Sequence, residues 1–276
     1  MGTSVSASVR LNADFVCDTK GQSSLYNSGL VLQSFNSWAF KRRQPTEPEL
    51  LARTVDAAVS ALKPLQFVLY WGKGPRSEID VPERDCLGYI AQMVGRIKAT
   101  YAPGAHITLI ATDTHARHNG HTEFNIDNYF FQVAKMAAQH HFFCVRLSML
   151  VAKQRNRVRV DIETPNASIL DKLEQCAVKW YRGDDSVATG AAEYFRMNML
   201  EKRVVELAYP NAIFVTFNGA EYRELFPQEL PVFYMYSTRK GNAVKPWFVD
   251  VDASEKPADD ISMLDGVHPS HARDDL

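Results

Sequence analysis

Two polar loops each follow an apolar stretch and contain residue types that bind anions or transfer protons. The first, residues 70–75 (YWGKGP), has glycines on both sides of Lys73, which would let a ligand approach the backbone closely. Lys73 could pair with a carboxylate or a phosphate, and a tight turn with a solvated lysine fits the same residues. The GxxxxGK[ST] spacing of a phosphate-binding P-loop is absent.

The second loop, residues 112–121 (TDTHARHNGH), places an acid directly after an apolar run and three histidines at a step of three. Metal binding, a substrate contact by Asp113 or His115, and simple solvent exposure are all open. The HExxH spacing of a helical zinc site is missing, and structural zinc prefers cysteine-rich sets. We therefore predict no metal and take Asp113 and His115 as catalytic candidates, with three neighbours as substrate contacts: Thr112, Thr114 and Asn119.

Aromatic residues cluster beside the ends of the predicted elements. Such residues usually belong to the core, but their faces can also bind a flat or cationic ligand. The attraction between an aromatic face and a cation contributes about 0.5–2 kcal/mol. Together with two further polar or aromatic positions, the candidates for substrate binding are Tyr70, Trp71, Tyr129, Phe130, Asn218 and Trp247.

Strands and helices alternate through the first half of the chain. The segment 46–49 (TEPE) has the form of a capping box, and Asp80, Pro82 and Glu83 begin a second helix in the same manner. Buried strands are predicted at residues 65–71, 106–112 and 142–150. This order predicts an α/β protein with a mostly parallel sheet and helices on both faces. Ligands bind beyond the carboxyl ends of such strands, which is where both polar loops fall.

The second half is less regular. It predicts an exposed strand at 156–163, helices at 169–181 and 191–208, a strand at 211–218, and a C-terminal antiparallel hairpin of strands 231–237 and 244–251 around a turn at 240–242. We expect residues 1–25 to be a flexible arm or lid and residues 26–250 to be a single catalytic domain, with a possible subdivision near residue 152. An acidic tail at 251–276 would follow.

Charge and composition exclude several classes of protein. The 276 residues carry 31 Lys plus Arg and 32 Asp plus Glu, a net charge of −1, which provides no overall electrostatic grip on nucleic acid. Residues 250–276 hold eight acidic and two basic residues, so the remaining chain is mildly basic. The hydrophobic content of 46% argues against disorder. We expect a small-molecule substrate, with neither nucleic acid nor membrane as a partner, and leave the oligomeric state open.

Cysteine usage and the N-terminus favour the cytoplasm. The four cysteines lie far apart without a CxxC motif, which is typical of reduced thiols. The first residues lack a charged region followed by an apolar one, so we expect no secretory signal. No apolar run reaches the length of about 18 residues that a membrane span needs.

Four segments together resemble one enzyme family in their order and spacing. They are residues 65–73 (LQFVLYWGK), residues 101–113 (YAPGAHITLIATD), residues 209–218 (YPNAIFVTFN) and the pair Pro246-Trp247. The chain thereby resembles the bacterial isocyanide (isonitrile) synthases and the related fungal dityrosine-precursor enzymes over residues 31–249.

The resemblance implies a fold, a reaction and two site residues. Its members are α/β proteins with a Rossmann-like part that convert the amino group of an aromatic amino acid into an isocyanide, with ribulose 5-phosphate as the carbon donor. Lys73 and Asp113 would then be active-site residues. Asp113 would hold the substrate amine and Lys73 its carboxylate or a phosphate, while three aromatic side chains would wall the pocket: Tyr70, Trp71 and Phe130.

At three further places the sequence departs from the family pattern and supports alternatives. Phe214 and Asn218 stand where the family tends to carry Arg and His, and Phe248 where it carries His. Because these changes remove phosphate and proton-transfer partners, an enzyme using S-adenosylmethionine for alkyl transfer or intramolecular displacement is the alternative. No cofactor is certain. A non-catalytic binding protein on the same fold is a third hypothesis.

Overall fold

The computed structural model describes residues 26–72, 79–158 and 165–236. Several features predicted from the sequence lie outside these residues, among them the arm at 1–25, Lys73, Trp247 and the acidic tail at 251–276. In the described part, the three cysteines Cys86, Cys144 and Cys176 are free.

Five parallel strands form one sheet in the order β3-β2-β1-β4-β5. The strands are β1 (Leu65–Trp71), β2 (Ala105–Ala111), β3 (Phe143–Arg146), β4 (Ala212–Thr216) and β5 (Val232–Tyr234). This confirms the predicted parallel α/β architecture and places strands from both halves of the chain in the same sheet. The central strand β1 is apolar on both faces because helices cover both of them.

Helices cover each face of the sheet, as predicted. Those packed on the first face are α1 (Ser28–Phe35), α2 (Pro48–Ser60), α3 (Val81–Thr100) and α5 (Glu123–Gln139). Those packed on the second face are α6 (Leu147–Gln154), α7 (Ala167–Trp180) and α8 (Val187–Ala208), with a 3₁₀ helix at Ala220–Leu225. The short helix α4 (Asp113–His118) lies at the carboxyl edge of β2.

Helix α3 begins as its sequence predicts. Asp80 accepts a hydrogen bond from the Glu83 N–H at 3.0 Å, and the Glu83 carboxylate accepts one from the Asp80 N–H at 3.2 Å. This reciprocal capping box satisfies two N–H groups at the start of α3 and fixes the direction of its first turn. The box predicted at residues 46–49 was wrong, because Glu47 is the N-cap of α2 without a side-chain capping bond.

Two predicted segments of the first half have a different structure. Only residues 143–146 of the strand predicted at 142–150 are extended, and α6 begins directly after them at Leu147. The predicted loop at 113–121 begins instead with the six-residue helix α4. In both places a strand is followed almost directly by a helix. The apolar run at 142–150 and the polar run at 113–121 therefore do not show where the strand ends and the helix begins.

The end of the described chain also differs from the prediction. Within residues 231–237 the strand β5 forms, but it pairs in parallel with β4. The second strand of the predicted hairpin, at 244–251, lies outside the described residues. Of the exposed strand predicted at 156–163, residues 156–158 are not extended and the others lie outside the described part.

The strand order reverses between β1 and β4. The chain moves outward from β1 through β2 to β3, and then returns to add β4 and β5 on the other side of β1. In open α/β sheets the crevice beyond the carboxyl ends at such a switch point is the usual place for a ligand. Among the described helices, none is both long and apolar enough to cross a bilayer.

Gly120 ends α4 and offers a direct test of how that helix is held. It has φ +78°, donates its N–H to the Arg117 carbonyl at 2.9 Å, and an added Cβ would lie 2.6 Å from the Arg182 carbonyl oxygen. We expect Gly120→Ala to lower the free energy of unfolding by about 1–2 kcal/mol or more in urea titrations.

Gly95 is the matched control for this substitution. It lies inside α3, where an added Cβ meets no atom within 4 Å. Gly95→Ala should therefore raise the free energy of unfolding by about 0.5–1 kcal/mol. Equal stability of the two variants would contradict the described end of α4.

Candidate functional site

Tyr70 and Trp71 end β1 and face opposite sides of the sheet. Consecutive strand residues alternate in direction, and Tyr70 packs with the second-face core while Trp71 packs with the first-face core. Phe130 also belongs to the first face. The structure therefore brings Trp71 and Phe130 together on one side and separates Tyr70 from them.

On the second face, a buried carboxylate joins two helices. Glu201 of α8 accepts a hydrogen bond from the Thr114 hydroxyl at 2.6 Å, and its second oxygen lies 2.6 Å from His115 Nε2. Glu201 is 1% exposed and His115 14% exposed. Thr114 and His115 are consecutive in α4, so a single carboxylate fixes both side chains at the carboxyl edge of β2.

Two phenol rings complete this site, which we call the Glu201 cluster: Tyr70, Thr114, His115, Tyr194 and Glu201. The ring centroids of Tyr70 and Tyr194 lie 6.0 Å and 5.2 Å from that of His115. Burial, and then the charge of Glu201, raise the pKa of both tyrosines above the usual value of 10. Both phenols therefore stay protonated near neutral pH.

The Glu201 cluster contains the groups that general acid–base catalysis uses, an imidazole and a carboxylate bonded to it. A carboxylate that accepts from one imidazole nitrogen fixes the orientation of the ring and leaves the other nitrogen to exchange a proton. His115 was a catalytic candidate from the sequence and Thr114 a substrate contact. The structure places both of them against Glu201.

Glu201 was missed in the sequence, although a signal for it exists. Tyr194, Asn198, Glu201 and Val205 follow one another at steps of three and four in α8, and all four are buried. This spacing places the carboxylate on the inward face of an amphipathic helix. An acid in such a stripe needs a partner, and partners 86 and 87 residues away in the chain are not visible in the spacing.

Asp113, a catalytic candidate from the sequence, is buried with both of its carboxylate oxygens bonded to other residues. It is 0% exposed, and one oxygen accepts from the Ser148 N–H at 3.0 Å. Its other oxygen accepts from the Ser148 hydroxyl and from Arg117 at 3.0 Å. Because Ser148 is in the first turn of α6, Asp113 supplies the cap of that helix and ties it to α4.

The first face holds three of the other predicted substrate contacts. Thr112 donates its hydroxyl to the Trp71 carbonyl at 3.1 Å, and an added Cβ on Gly72 would lie 2.1 Å from that hydroxyl oxygen. Phe130 approaches the same glycine. The Tyr129 hydroxyl donates to the Glu83 carboxylate, which places Tyr129 against α3.

Two more predicted contacts are buried at separate helix and strand ends. Asn119 is the C-cap residue of α4, and Asn218 follows β4 with its N–H donated to the Thr216 hydroxyl at 3.1 Å. No three His, Cys, Asp or Glu side chains of the described residues converge as a metal site.

A cavity lies at the opposite edge of the sheet. It has a volume of about 490 Å³, and two of its lining residues, Pro210 and Glu229, precede the amino ends of β4 and β5. The others are Arg157, Val158, Arg203, Glu206 and Leu207. None of the predicted site residues lines it.

Comparison with solved structures identifies the fold. The PvcA protein from Pseudomonas aeruginosa matches with a TM-score of 0.57 and 16% identity, over 80% of this chain and 87% of that one. At the level of the fold, this match confirms the distant resemblance drawn from the sequence segments. Tyrosyl-tRNA synthetase from Archaeoglobus fulgidus, complexed with L-tyrosine, aligns with a TM-score of 0.45 and 14% identity, over 75% of this chain and 63% of that one.

Comparisons of sequence gave no match. No family model matches the chain. No curated protein matches it either.

Asp113→Asn tests whether this carboxylate is structural. We expect a loss of about 3 kcal/mol in the free energy of unfolding, because the amide replaces one charged acceptor by a donor that faces Ser148 and Arg117. The control is Asp127→Asn, whose exposed ion pair with Arg146 should contribute no more than about 0.5 kcal/mol. A stable Asp113→Asn variant that no longer binds substrate would instead make Asp113 a substrate contact.

The stability of the fold should also fall in mild acid through His118. Burial lowers the pKa of His118, against a smaller opposing effect of its hydrogen bond to the Gly190 backbone. The unfolded chain therefore takes up this proton at higher pH than the folded one, and stability is lost as the pH falls below about 6.5. His118→Gln should flatten the pH dependence of the unfolding free energy between pH 7 and 5 in urea titrations. An unchanged pH dependence in this variant would contradict the assignment to His118.

Proposed function

We propose that the chain is a small-molecule biosynthetic enzyme of the isocyanide-synthase type, acting on the amino group of an amino acid or an amino-acid derivative. The observation that carries this proposal is the buried Glu201–His115 pair beside the carboxyl edge of the sheet. The sequence resemblance supplies the reaction class, and the fold shared with PvcA supports it. Ribulose 5-phosphate is the proposed carbon donor.

In this proposal, His115 is the general acid and base. Condensation of an amine with a sugar ketone requires a neutral amine and the loss of water, and both steps need a proton acceptor and donor at the reacting atoms. Glu201 acts through His115 as a positioning residue. The protonated phenols of Tyr70 and Tyr194 would flank the imidazole and donate hydrogen bonds.

Two other candidates from the sequence, Asp113 and Lys73, have positioning and binding roles in this proposal. Asp113 would position α4 and α6 around the cluster through its bonds to Ser148. Lys73 directly follows Gly72 at the carboxyl end of β1 in the sequence, and we retain it as the partner of a substrate carboxylate or phosphate.

A second candidate function is supported by the chemistry of the same cluster. The Glu201 carboxylate and the faces of Tyr70 and Tyr194 attract cations, which suits the sulfonium of S-adenosylmethionine. In this version His115 would keep an amine nucleophile neutral for attack on the sulfonium carbon.

Isocyanide formation tests the leading proposal. Incubation with ribulose 5-phosphate and either tyrosine, tryptophan or another amino acid should give a product with the isocyanide infrared band. We expect His115→Ala to lower the rate by about 10²- to 10⁴-fold, because it removes the general base. Glu201→Gln should lower the rate by about 10²-fold, because His115 then loses the carboxylate that positions it. Asp127→Asn should retain the full rate.

A rescue experiment separates positioning from folding. If Glu201 acts through His115, Glu201→Asp should recover part of the activity and the lost rate should lie in kcat rather than KM. Absence of the isocyanide band with every amino acid would refute the reaction.

Thermal shifts distinguish the two candidate functions. Stabilisation by ribulose 5-phosphate favours the first, and stabilisation by S-adenosylmethionine or its thioether products favours the second, since a ligand that binds only the folded state at 100 times its Kd adds about 2.7 kcal/mol. Glu201→Gln should weaken the shift caused by S-adenosylmethionine more than that caused by the uncharged thioether.

A further inference from the structure

We propose that the β3 edge of the sheet is the interface of a homodimer, in which a second copy of this chain continues the sheet through its own β3. We call this the β3 edge surface and define it by the strand Phe143–Arg146 and the exposed aromatic side chains of Phe124, Phe131 and Phe143. None of these residues belongs to the Glu201 cluster, so the proposal stands apart from the proposed function.

The two edges of the sheet differ in what covers them. At the β5 edge, the segment before α2 lies against the strand end: Lys41 forms an antiparallel bridge with Met235, and Arg42 donates its backbone N–H to the Tyr234 carbonyl at 2.8 Å. At the other edge, β3 pairs with β2 and with no other described segment. An edge strand whose outer N–H and C=O groups are unpaired is a template for another strand.

Exposed aromatic side chains of α5 lie beside this edge. Phe124 and Phe131 are seven residues apart, so both project from the same face of the helix. They are 79% and 69% exposed. Asp127, between them on that face, forms an ion pair with Arg146 of β3 at 2.6 Å. This bond holds the exposed face of α5 against the outer strand of the sheet.

Phe143 brings a third aromatic ring to the other side of the same strand. Successive strand residues alternate between the two faces, and Cys144 packs with the first-face core while Val145 packs with the second-face core. Phe143 therefore projects on the second face, where it is 58% exposed. The edge of β3 thus has exposed aromatic side chains on both of its faces, Phe131 on one and Phe143 on the other.

The apolar area of this surface is large enough to matter for a dimer. A fully accessible phenylalanine presents roughly 150–250 Å², so the three side chains together expose on the order of 400 Å². A standard interface buries about 800 Å² on each partner. These three rings alone provide about half of that area, before the backbone of β3 and its polar neighbours are counted.

The occupant that fits this surface is a second copy related by a two-fold axis. Two β3 strands that pair in antiparallel orientation about an axis at Cys144 place Phe143 opposite Val145 of the second copy, an aromatic and β-branched pair of the kind that stabilises sheets. Because the β5 edge is covered by the chain itself, this pairing uses the edge that is open in the described sheet and closes at two copies.

Sedimentation velocity of the full chain tests the assembly. We expect twice the mass of the chain at the upper end of a concentration series from about 1 to 100 μM, because interfaces of standard size bind with micromolar or tighter Kd. A chain that stays monomeric through the whole series would overturn the proposal.

Three substitutions locate the interface. Phe131→Lys and Phe143→Lys should each raise the Kd of the dimer by about 10- to 100-fold, because each removes a large apolar contact and adds a charge to it. Leu30→Lys is the matched control: Leu30 is 57% exposed in α1, whose Phe35 packs on Phe67 and Phe233 in the other half of the sheet. It should leave the Kd unchanged.

The Tm of the two phenylalanine variants should stay near that of the wild type under conditions where all are monomeric, since both side chains are exposed. This measurement separates a lost interface from a lost fold. Equal effects of all three substitutions on the Kd, or none from Phe131→Lys and Phe143→Lys, would place the dimer interface elsewhere and refute the proposal.

Hydrogen exchange tests whether the strand itself pairs. In the full chain, the amides of Phe143–Arg146 that point away from β2 should exchange more slowly as the protein concentration rises through the Kd, and Phe131→Lys should remove this concentration dependence. A dimer in which exchange of the β3 amides is the same at every concentration would show association without strand pairing, contrary to the proposal.

Discussion

The arrangement of the site depends on one buried carboxylate. Removing Glu201 from water costs several kcal/mol, and that cost is offset only if both of its oxygens find donors. Both donors come from consecutive residues of α4. The desolvation cost of Glu201 is therefore offset only when α4 and α8 pack in this one relative position. His115 is held by the same bonds that make the carboxylate tolerable in the core. An apolar residue in place of Glu201 would pack on this face without that desolvation cost. An acid–base site, in contrast, requires a buried carboxylate of this kind.

A second buried carboxylate, that of Asp113, helps to hold α4 in this position. Asp113 begins α4 and caps α6, so its carboxylate ties the end of β2 and α4 to α6. Gly120 then ends α4 in a conformation that residues with a Cβ adopt at a cost. Tyr70 and Trp71, at the end of β1, divide the carboxyl edge into two sides.

Regular patterns in the sequence predicted the parts of this structure that depend on local physics. The bounds of β1 and the capping box of α3 were predicted correctly, because apolar runs and caps are local signals. The residues around Asp113 and His115 were correctly placed at the edge of the sheet. The helix α4 was missed and the strand β3 was predicted too long, since each junction of strand and helix is fixed by Asp113 reaching Ser148, 35 residues away. Glu201 was missed for the same reason: its partners Thr114 and His115 are 87 and 86 residues away in the chain and become visible only when the sheet is assembled.

A structure with a bound amino acid tests the central claim most directly. If His115 is the acid–base group held by Glu201, the substrate amine should lie within hydrogen-bond reach of the imidazole, about 3 Å or one water away. Binding of the amino acid in the cavity of about 490 Å³ at the amino edge of β4 and β5, beside Arg157 and Arg203, would contradict the account.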